Sequence, residues 1–427
     1  MSNILFKPPQ ARPYSQQAPP QSSVKLSSLE RSNDQTSEYS HPFPTTTKHV
    51  TANEKSSSGR LRTSDRRIAT AIVYCEANFG AIDGKTANGL VRHSEKYKIL
   101  SVIDSQKAGL DAGMVLDDEP NDIPICRDLA ESLLRADEVP DYFIFGMAPS
   151  SGMLSESERE IVLEAISHGM HIVNGLHEFL NDDPEFIAAS RASNITILDV
   201  RKPKAKKDLR IFSGRIAEVS CPVIAVLGTD CAIGKRTTAT ILARAFQDRG
   251  MNAVMIGTGQ TGLIQGARYG IALDAVPSQF CAGELEAIIY EAFEAECPDL
   301  IIIEGQGALS HPAFSTTSFI LRGSCPDGVI LQHAPGRTYR CDFEQMLMPK
   351  AAAEINLIQA FCDTKVIGLT INHENMSESE VDEAIASYEC ELKLPVTDAL
   401  TRSPESLVQM VLSSFPTLGE KLTACAL

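Results

Sequence analysis

Residues 221–240 read Cys221-Pro-Val-Ile-Ala-Val-Leu-Gly-Thr-Asp-Cys-Ala-Ile-Gly-Lys-Arg-Thr-Thr-Ala-Thr240. The apolar run Val223 to Leu227 reads as a buried strand that breaks at Gly228. A helical pattern starts at Lys235 and continues through Leu242, Ala243, Ala245 and Phe246. Strand, glycine-bounded loop, Gly-Lys and hydroxyls on a helix start form the layout of a phosphate-binding loop. Backbone N–H groups and the helix N-terminus surround an anion, and the lysine adds a point charge. The expected phosphate-binding set is Gly228, Thr229, Asp230, Gly234, Lys235, Arg236, Thr237 and Thr238.

The spacing departs from the standard pattern in two ways. Five residues separate Gly228 from Gly234, and Arg236 stands where a hydroxyl normally follows the lysine. One residue turns a helical side chain by about 100°, so Thr237 is not equivalent to the usual magnesium-binding hydroxyl. The pattern therefore argues for phosphate binding more strongly than for nucleotide hydrolysis. Cys231 lies inside the loop and reads as a packed loop residue.

The surroundings of this stretch are those of a globular chain. The 427 residues suffice for two domains, 43% are apolar and 22% charged. The net charge is −16, with residues 1–60 contributing seven Lys and Arg against four Asp and Glu. So acidic a body is a poor surface for nucleic acid or an anionic membrane, and neither partner is expected. The 11 cysteines form no CxxC pair, which suits small buried side chains in a reducing, cytoplasmic compartment rather than a zinc site. No metal ligand set is read from the sequence.

Residues 1–65 are rich in Ser, Thr, Pro and Gln without apolar periodicity, and read as a disordered tail. Residues 66–215 read as a Rossmann-like α/β domain. Strands are expected at Ile68–Tyr74, Ile99–Ile103, Tyr142–Phe145, His171–Val173 and Ile195–Leu198, and helices at Cys126–Ala136 and Ser155–His168. No GxGxxG follows the first strand. Two polar loops, one carrying Glu76, Lys85, Thr86 and Arg92 and the other spanning Gly146–Gly152, fall after strands, where open α/β sheets bind ligands. His168, His171 and His177 do not share one helical face and read as structural.

Residues 216–427 read as the phosphate-loop α/β domain. Strands at Ala253–Ile256, Asp299–Ile303, Val329–Gln332 and Val366–Ile371 alternate with helices at Glu284–Ala295 and from about Ser377 and Ser403. The glycine-rich turn Gly257-Thr-Gly-Gln-Thr-Gly262, which holds Gln260, faces the same sheet edge as the phosphate loop. Glu304-Gly-Gln-Gly-Ala-Leu-Ser-His311 ends a later strand with a carboxylate able to bind metal or orient a reacting group. His333 and Arg337 again follow a strand.

Together Gly228–Thr238, Ile256–Gly262, Glu304–Gly307 and His311-Pro312 resemble the D-glutamate N-acetyltransferase-like family. The first and third of these motifs are also similar to dethiobiotin synthetase-type ligases. The closer resemblance covers residues 66–427. It implies an acyltransferase that moves acetyl from acetyl-CoA to the amine of D-glutamate or a related acidic amino acid, in D-amino-acid catabolism. Two features depart from it: an acid is expected where Gln279 stands, and the tail is longer than the family needs.

On that resemblance the loop residues hold the coenzyme phosphates without hydrolysis and Lys235 adds charge. Glu304 or His311 serves as base. Arg92 and Arg337 clamp substrate carboxylates, with Gln260, Gln306 and His333 beside them, and a homo-oligomer is expected. The alternative is an ATP-dependent ligase or kinase, in which Thr237 or Thr238 and Glu304 hold magnesium. A third reading is a nucleotide-switched binding protein.

Overall fold

The computed structural model describes residues 68–149, 151–341 and 343–425. The expected tail lies outside the described residues.

The first sheet is built around the central strands Ala69–Tyr74 and Tyr142–Phe145, whose ends are buried on both faces. Its members are β1 (Ala69–Tyr74), β2 (Tyr97–Ile103), β3 (Ile125–Cys126), β4 (Tyr142–Phe145), β5 (His171–Asn174) and β6 (Ile197–Asp199). They pair in parallel in the order β3-β2-β1-β4-β5-β6, the doubly wound order of dinucleotide-binding folds. The helices α1 (Lys85–Arg92), α2 (Ala112–Asp117), α3 (Leu129–Arg135), α4 (Glu156–Ser167) and α5 (Pro184–Ala192) connect them. Strand order reverses between β1 and β4. The two polar loops picked out in the sequence follow these strands, and Gly146 N donates to Tyr74 O at 2.8 Å between them.

Several elements differ from the sequence expectation. Lys85 to Arg92 is a helix rather than a loop. Gly84 gives it no side-chain cap and Gly89 lies inside it, but burial of Ala87, Leu90 and Val91 outweighs that weak propensity. The helix expected from Cys126 starts at Leu129, because Asp128 caps it by accepting from Glu131 N while Cys126 stays in β3. Ser155 and Glu158 form the capping box that fixes the start of α4.

The second sheet contains β7 (Val223–Gly228), β8 (Ala253–Gly257), β9 (Tyr269–Gly270), β10 (Leu300–Glu304), β11 (Gly328–His333), and, further along the chain, the strands Lys365–Ile371 and Val396–Asp398. A small antiparallel hairpin comes before these last two, β12 (Tyr339–Arg340) with β13 (Phe343–Leu347), which makes them β14 and β15. The order β15-β14-β11-β7-β10-β8-β9 is parallel throughout. Strand β7 is central, and its residues alternate between two cores. Val223, Ala225 and Leu227 pack on one face and Ile224 and Val226 on the other, which explains the unbroken apolar run.

The central helix α6 (Lys235–Gln247) follows β7. A short α7 (Gln260–Gln265) occupies part of the expected glycine turn. The helix expected from Glu284 is α8 (Ser278–Glu296), longer at its start. Helices α9 (Thr316–Ser324), α10 (Ala351–Phe361), α11 (Glu378–Leu392), α12 (Glu405–Ser414) and α13 (Pro416–Cys425) complete the layers.

The two sheets meet through α1 and α7. The hydroxyls of Thr86 and Thr261 lie 3.0 Å apart, and Gln265 Nε2 donates to His93 O at 2.8 Å. Ile264 of α7 packs into the core of the first sheet. Among the described residues no helix is long and apolar enough to cross a membrane.

Candidate functional site

The loop between β7 and α6 is held from outside by its carbonyls. Arg337 Nη1 donates to Cys231 O at 2.8 Å and Nη2 to Ala232 O at 3.3 Å. Arg340 Nη1 reaches Thr229 O at 3.2 Å, and Asn372 Nδ2 reaches Ile233 O at 3.3 Å. In a trans peptide C=O and N–H point in opposite directions. Drawing these carbonyls outward therefore turns the amides of Asp230, Ala232, Ile233 and Gly234 toward the concave side of the loop. Ala232 and Gly234 both adopt positive φ, +50° and +98°, and Gly234 caps α6 with no side-chain bond to its first turn. Such a nest at a helix N-terminus suits an anion.

Lys235 is buried and its Nζ donates to Asp230 O. Burial lowers its pKa, and the charges of Cys231, Asp230 and Glu304 oppose that shift. The two threonines after Arg236 part company. Thr238 Oγ1 donates to buried Gln332 Oε1 at 2.6 Å, inside the sheet, whereas Thr237 lines a small cleft with Gly234, Asn372 and Leu400.

Arg236 turns to the other domain. A Cβ added at Gly89 would lie 2.6 Å from its Nη2, so the guanidinium packs on the bare backbone of α1. Burial lowers its pKa, and the charge of Glu304 acts against that. A cation thus follows the lysine where a magnesium-binding hydroxyl normally stands, and its charge acts on the strand-end carboxylate.

Glu304 is 5% exposed, and its Oε2 accepts from Thr258 N at 3.0 Å. Burial raises its pKa, while Arg236, the amides of Thr258 and Gly259, and Lys235 work against that rise. Gly262 lets α7 approach, since a Cβ there would lie 2.4 Å from Glu304 Oε2. Gln306 Nε2 donates to Thr258 O at 2.7 Å, which joins the two strand-end loops.

His311 is buried beside Asp230, with Nε2 3.7 Å from Asp230 Oδ1. Its Nδ1 accepts the amides of Ala313 and Phe314, each at 3.3 Å. Neutral His311 therefore carries its hydrogen on Nε2, the edge turned toward Asp230. Asp230, Cys231 and His311 each place one potential ligand atom within 4.8 Å of the others. However, Arg337 lies 3.0 Å and Arg340 3.9 Å from the Asp230 carboxylate, and Lys235 caps its carbonyl. Three cations around the cluster suit an anion better than a metal ion.

The expected substrate-binding residues are not gathered in one place. Arg92 is spent on Asp117, at 2.7 Å, and on Leu116 O. Arg337 is committed to Asp230 and Glu374. His333 is buried, with Nδ1 2.8 Å from Thr229 Oγ1, and burial lowers its pKa to about 4. Gln260 of the second domain reaches the first, its Cγ lying 3.3 Å from where a Cβ of Gly175 would stand. A cavity of about 260 Å³ lies along α6 and α7 between Arg244, Tyr269 and Glu296, and residues 228–238 take no part in its lining.

Sequence reading missed Arg340, which follows no strand of the main sheet, and the buried Arg201. The latter opens the basic, Pro-containing stretch Arg201 to Lys207 near the end of the first domain. The only available signal was a lone arginine directly after an apolar strand.

The fold and the loop define a two-domain protein with a Rossmann-like unit followed by a P-loop unit. Family models agree: residues 105–203 match a domain of unknown function described as Rossmann-like (DUF1611_N), and residues 210–408 match the P-loop domain DUF1611_C. A D-glutamate N-acetyltransferase of a Pseudoalteromonas species is 32% identical over 273 residues, 62% of this chain and 80% of the relative. One of Tritonibacter scottomollicae is 31% identical over 272 residues, 62% and 79% of the two chains. The crystal structure of a DUF1611 family protein from Anabaena variabilis is 30% identical, with a TM-score of 0.75, covering 81% of this chain and 99% of that one. The chain belongs to this D-glutamate N-acetyltransferase-like DUF1611 family.

Proposed function

We propose that the protein is an N-acetyltransferase that moves acetyl from acetyl-CoA to the amine of D-glutamate or a related acidic amino acid, in D-amino-acid catabolism. The observation that carries this reading is a loop of inward-turned amides in which an arginine, not a hydroxyl, follows Lys235, with its side chain turned away to Gly89 of the first domain. Such a site suits the phosphates of coenzyme A better than magnesium-dependent phosphoryl transfer.

In this reading the loop amides and Lys235 hold coenzyme phosphate, with Thr237 at the mouth of the loop. Glu304, raised by burial, takes a proton from the substrate ammonium. The freed amine attacks the thioester carbonyl carbon, and amides of the Gly305–Gly307 loop receive the oxyanion. Collapse breaks the C–S bond, the second proton lost by the nitrogen leaves on the coenzyme thiol, and Glu304 releases the first to solvent. His311, with its Nε2 edge turned toward Asp230, holds the loop rather than acting as base.

A thermal-shift titration with acetyl-CoA, and separately with Mg-ATP, tests the reading. Stabilisation by acetyl-CoA together with acetylation of D-glutamate supports it. Stabilisation by Mg-ATP alone, with ADP release, would replace it by the ligase.

A further inference from the structure

We infer that Arg201, with His177 and Asp274, forms the subsite that receives a carboxylate of the amino-acid substrate. This rests on the acetyltransferase reading above, which assigns no residue free to do so: Arg92 and Arg337 are both consumed by other contacts.

Arg201 follows β6 at the carboxyl edge of the first sheet and is 8% exposed. Its Nη1 lies 3.0 Å from Asp274 Oδ2 of the second domain and also contacts His177 Nε2. Its Nε is buried and makes no hydrogen bond among the described residues. An arginine kept only as a tie between domains would present its Nε–Nη2 fork to the carboxylate, the geometry in which guanidinium binds such a group bidentately. Here both neighbours crowd onto Nη1 and leave Nε unused. A buried donor without a partner is costly and calls for an acceptor. A substrate carboxylate meets that need and matches the charge.

The neighbours supply the remainder of a small acidic ligand's contacts. His177 is half-exposed at the opening, packed on Gly152, and its Nε2 stands 3.9 Å from Asp274 Oδ2. The partly exposed Asp274 carboxylate is the acceptor available to the substrate ammonium before the amine is deprotonated. Gln260 approaches Gly175, two residues before His177.

Bonded contacts connect this group to the loop site. Leu273, next to Asp274, donates from N to Thr258 O at 3.0 Å, and Thr258 N donates to Glu304 Oε2 at 3.0 Å. Arg201 is thus tied through Asp274, Leu273 and Thr258 to the loop that holds the proposed base. The two ends of the reaction, coenzyme phosphates and acceptor carboxylate, then take separate cations.

The full-length protein and its Arg201→Gln, Arg201→Lys and His177→Ala variants test this by steady-state kinetics and by calorimetric binding of D-glutamate without coenzyme. Expected are a rise in KM for D-glutamate of about tenfold or more in Arg201→Gln, a smaller rise in the Lys variant, and an unchanged KM for acetyl-CoA. D-Glutamate binding should be lost in parallel. Should Arg201→Gln fail to fold, His177→Ala, altered at a half-exposed side chain, must show the same selective loss. A D-glutamate KM and affinity within twofold of wild type in the folded variants would overturn the inference and leave the acetyltransferase reading standing. A wild-type protein that neither acetylates nor binds D-glutamate would overturn both.

Discussion

Arg337 Nη1 donates to Asp230 Oδ2 at 3.0 Å, while the opposite edge of the same guanidinium grips Glu374 at 2.6 and 2.8 Å. Burial would lower its pKa, but Glu374 and Asp230 outweigh that and hold the guanidinium above its ordinary value. Asp230 is fully buried, so removing the arginine takes away its nearest cation and leaves Arg340, at 3.9 Å, as the remaining guanidinium. We expect Arg337→Gln to cost about 3 kcal/mol in urea unfolding and to weaken acetyl-CoA binding, because the carbonyls of Cys231 and Ala232 lose their restraint. Adding Asp230→Asn should restore part of the stability, and a double-mutant cycle measures how much.

Glu304 and Arg236 make a kinetic prediction. Glu304→Gln removes the proposed base and is expected to lower kcat by about 10²–10⁴-fold, with the thermal shift by acetyl-CoA retained. The base acts when ionised, so the wild-type rate should rise with pH through its elevated pKa. Arg236→Gln removes the cation that opposes this elevation and should move the rising limb to higher pH. A pH–kcat profile of the two proteins decides the point.

The loop itself was legible because strand, glycine and helix signals coincide within 20 residues. The doubly wound order of the first sheet follows from its alternation of apolar runs and helices, even without a glycine fingerprint after β1. Side-chain destinations were not legible. Arg236 reads as a phosphate ligand by position, yet the register of α6 carries it to Gly89 of another domain, 147 residues earlier in the chain. Arg337 reads as a free cation after a strand, but its partners Asp230 and Glu374 come from two other strand ends. Helix α1 was hidden because its stability comes from burial against a distant helix rather than from local propensity.

His333 gives a pH dependence of stability. Burial holds its pKa at about 4, below the ordinary histidine value of 6.5. The unfolded chain therefore binds more protons than the folded one between these values. The contribution is fully present above pH 6.5 and is lost as pH falls toward 4, by about 3 kcal/mol in all. His333→Asn cannot take that proton, so its unfolding free energy should fall less between pH 7 and pH 4 than that of wild type. Denaturant titrations at the two pH values measure the difference.

Gly262 separates a requirement of the site from a requirement of the fold. It lies inside α7, where alanine is the better helix former by about 1 kcal/mol. Its missing Cβ, however, is where Glu304 Oε2 comes to rest, 2.4 Å from the position a methyl would take. The carboxylate cannot move aside and keep its bond from Thr258 N. Gain in helix propensity and loss of this contact roughly cancel in stability, so Gly262→Ala should melt within a few degrees of wild type. Catalysis has no such compensation, because a displaced Glu304 is no longer placed to take a proton from the substrate amine. The variant should therefore show a drop in kcat of about tenfold or more with acetyl-CoA affinity preserved. A variant that keeps wild-type kcat would show that the position of this carboxylate does not govern the reaction.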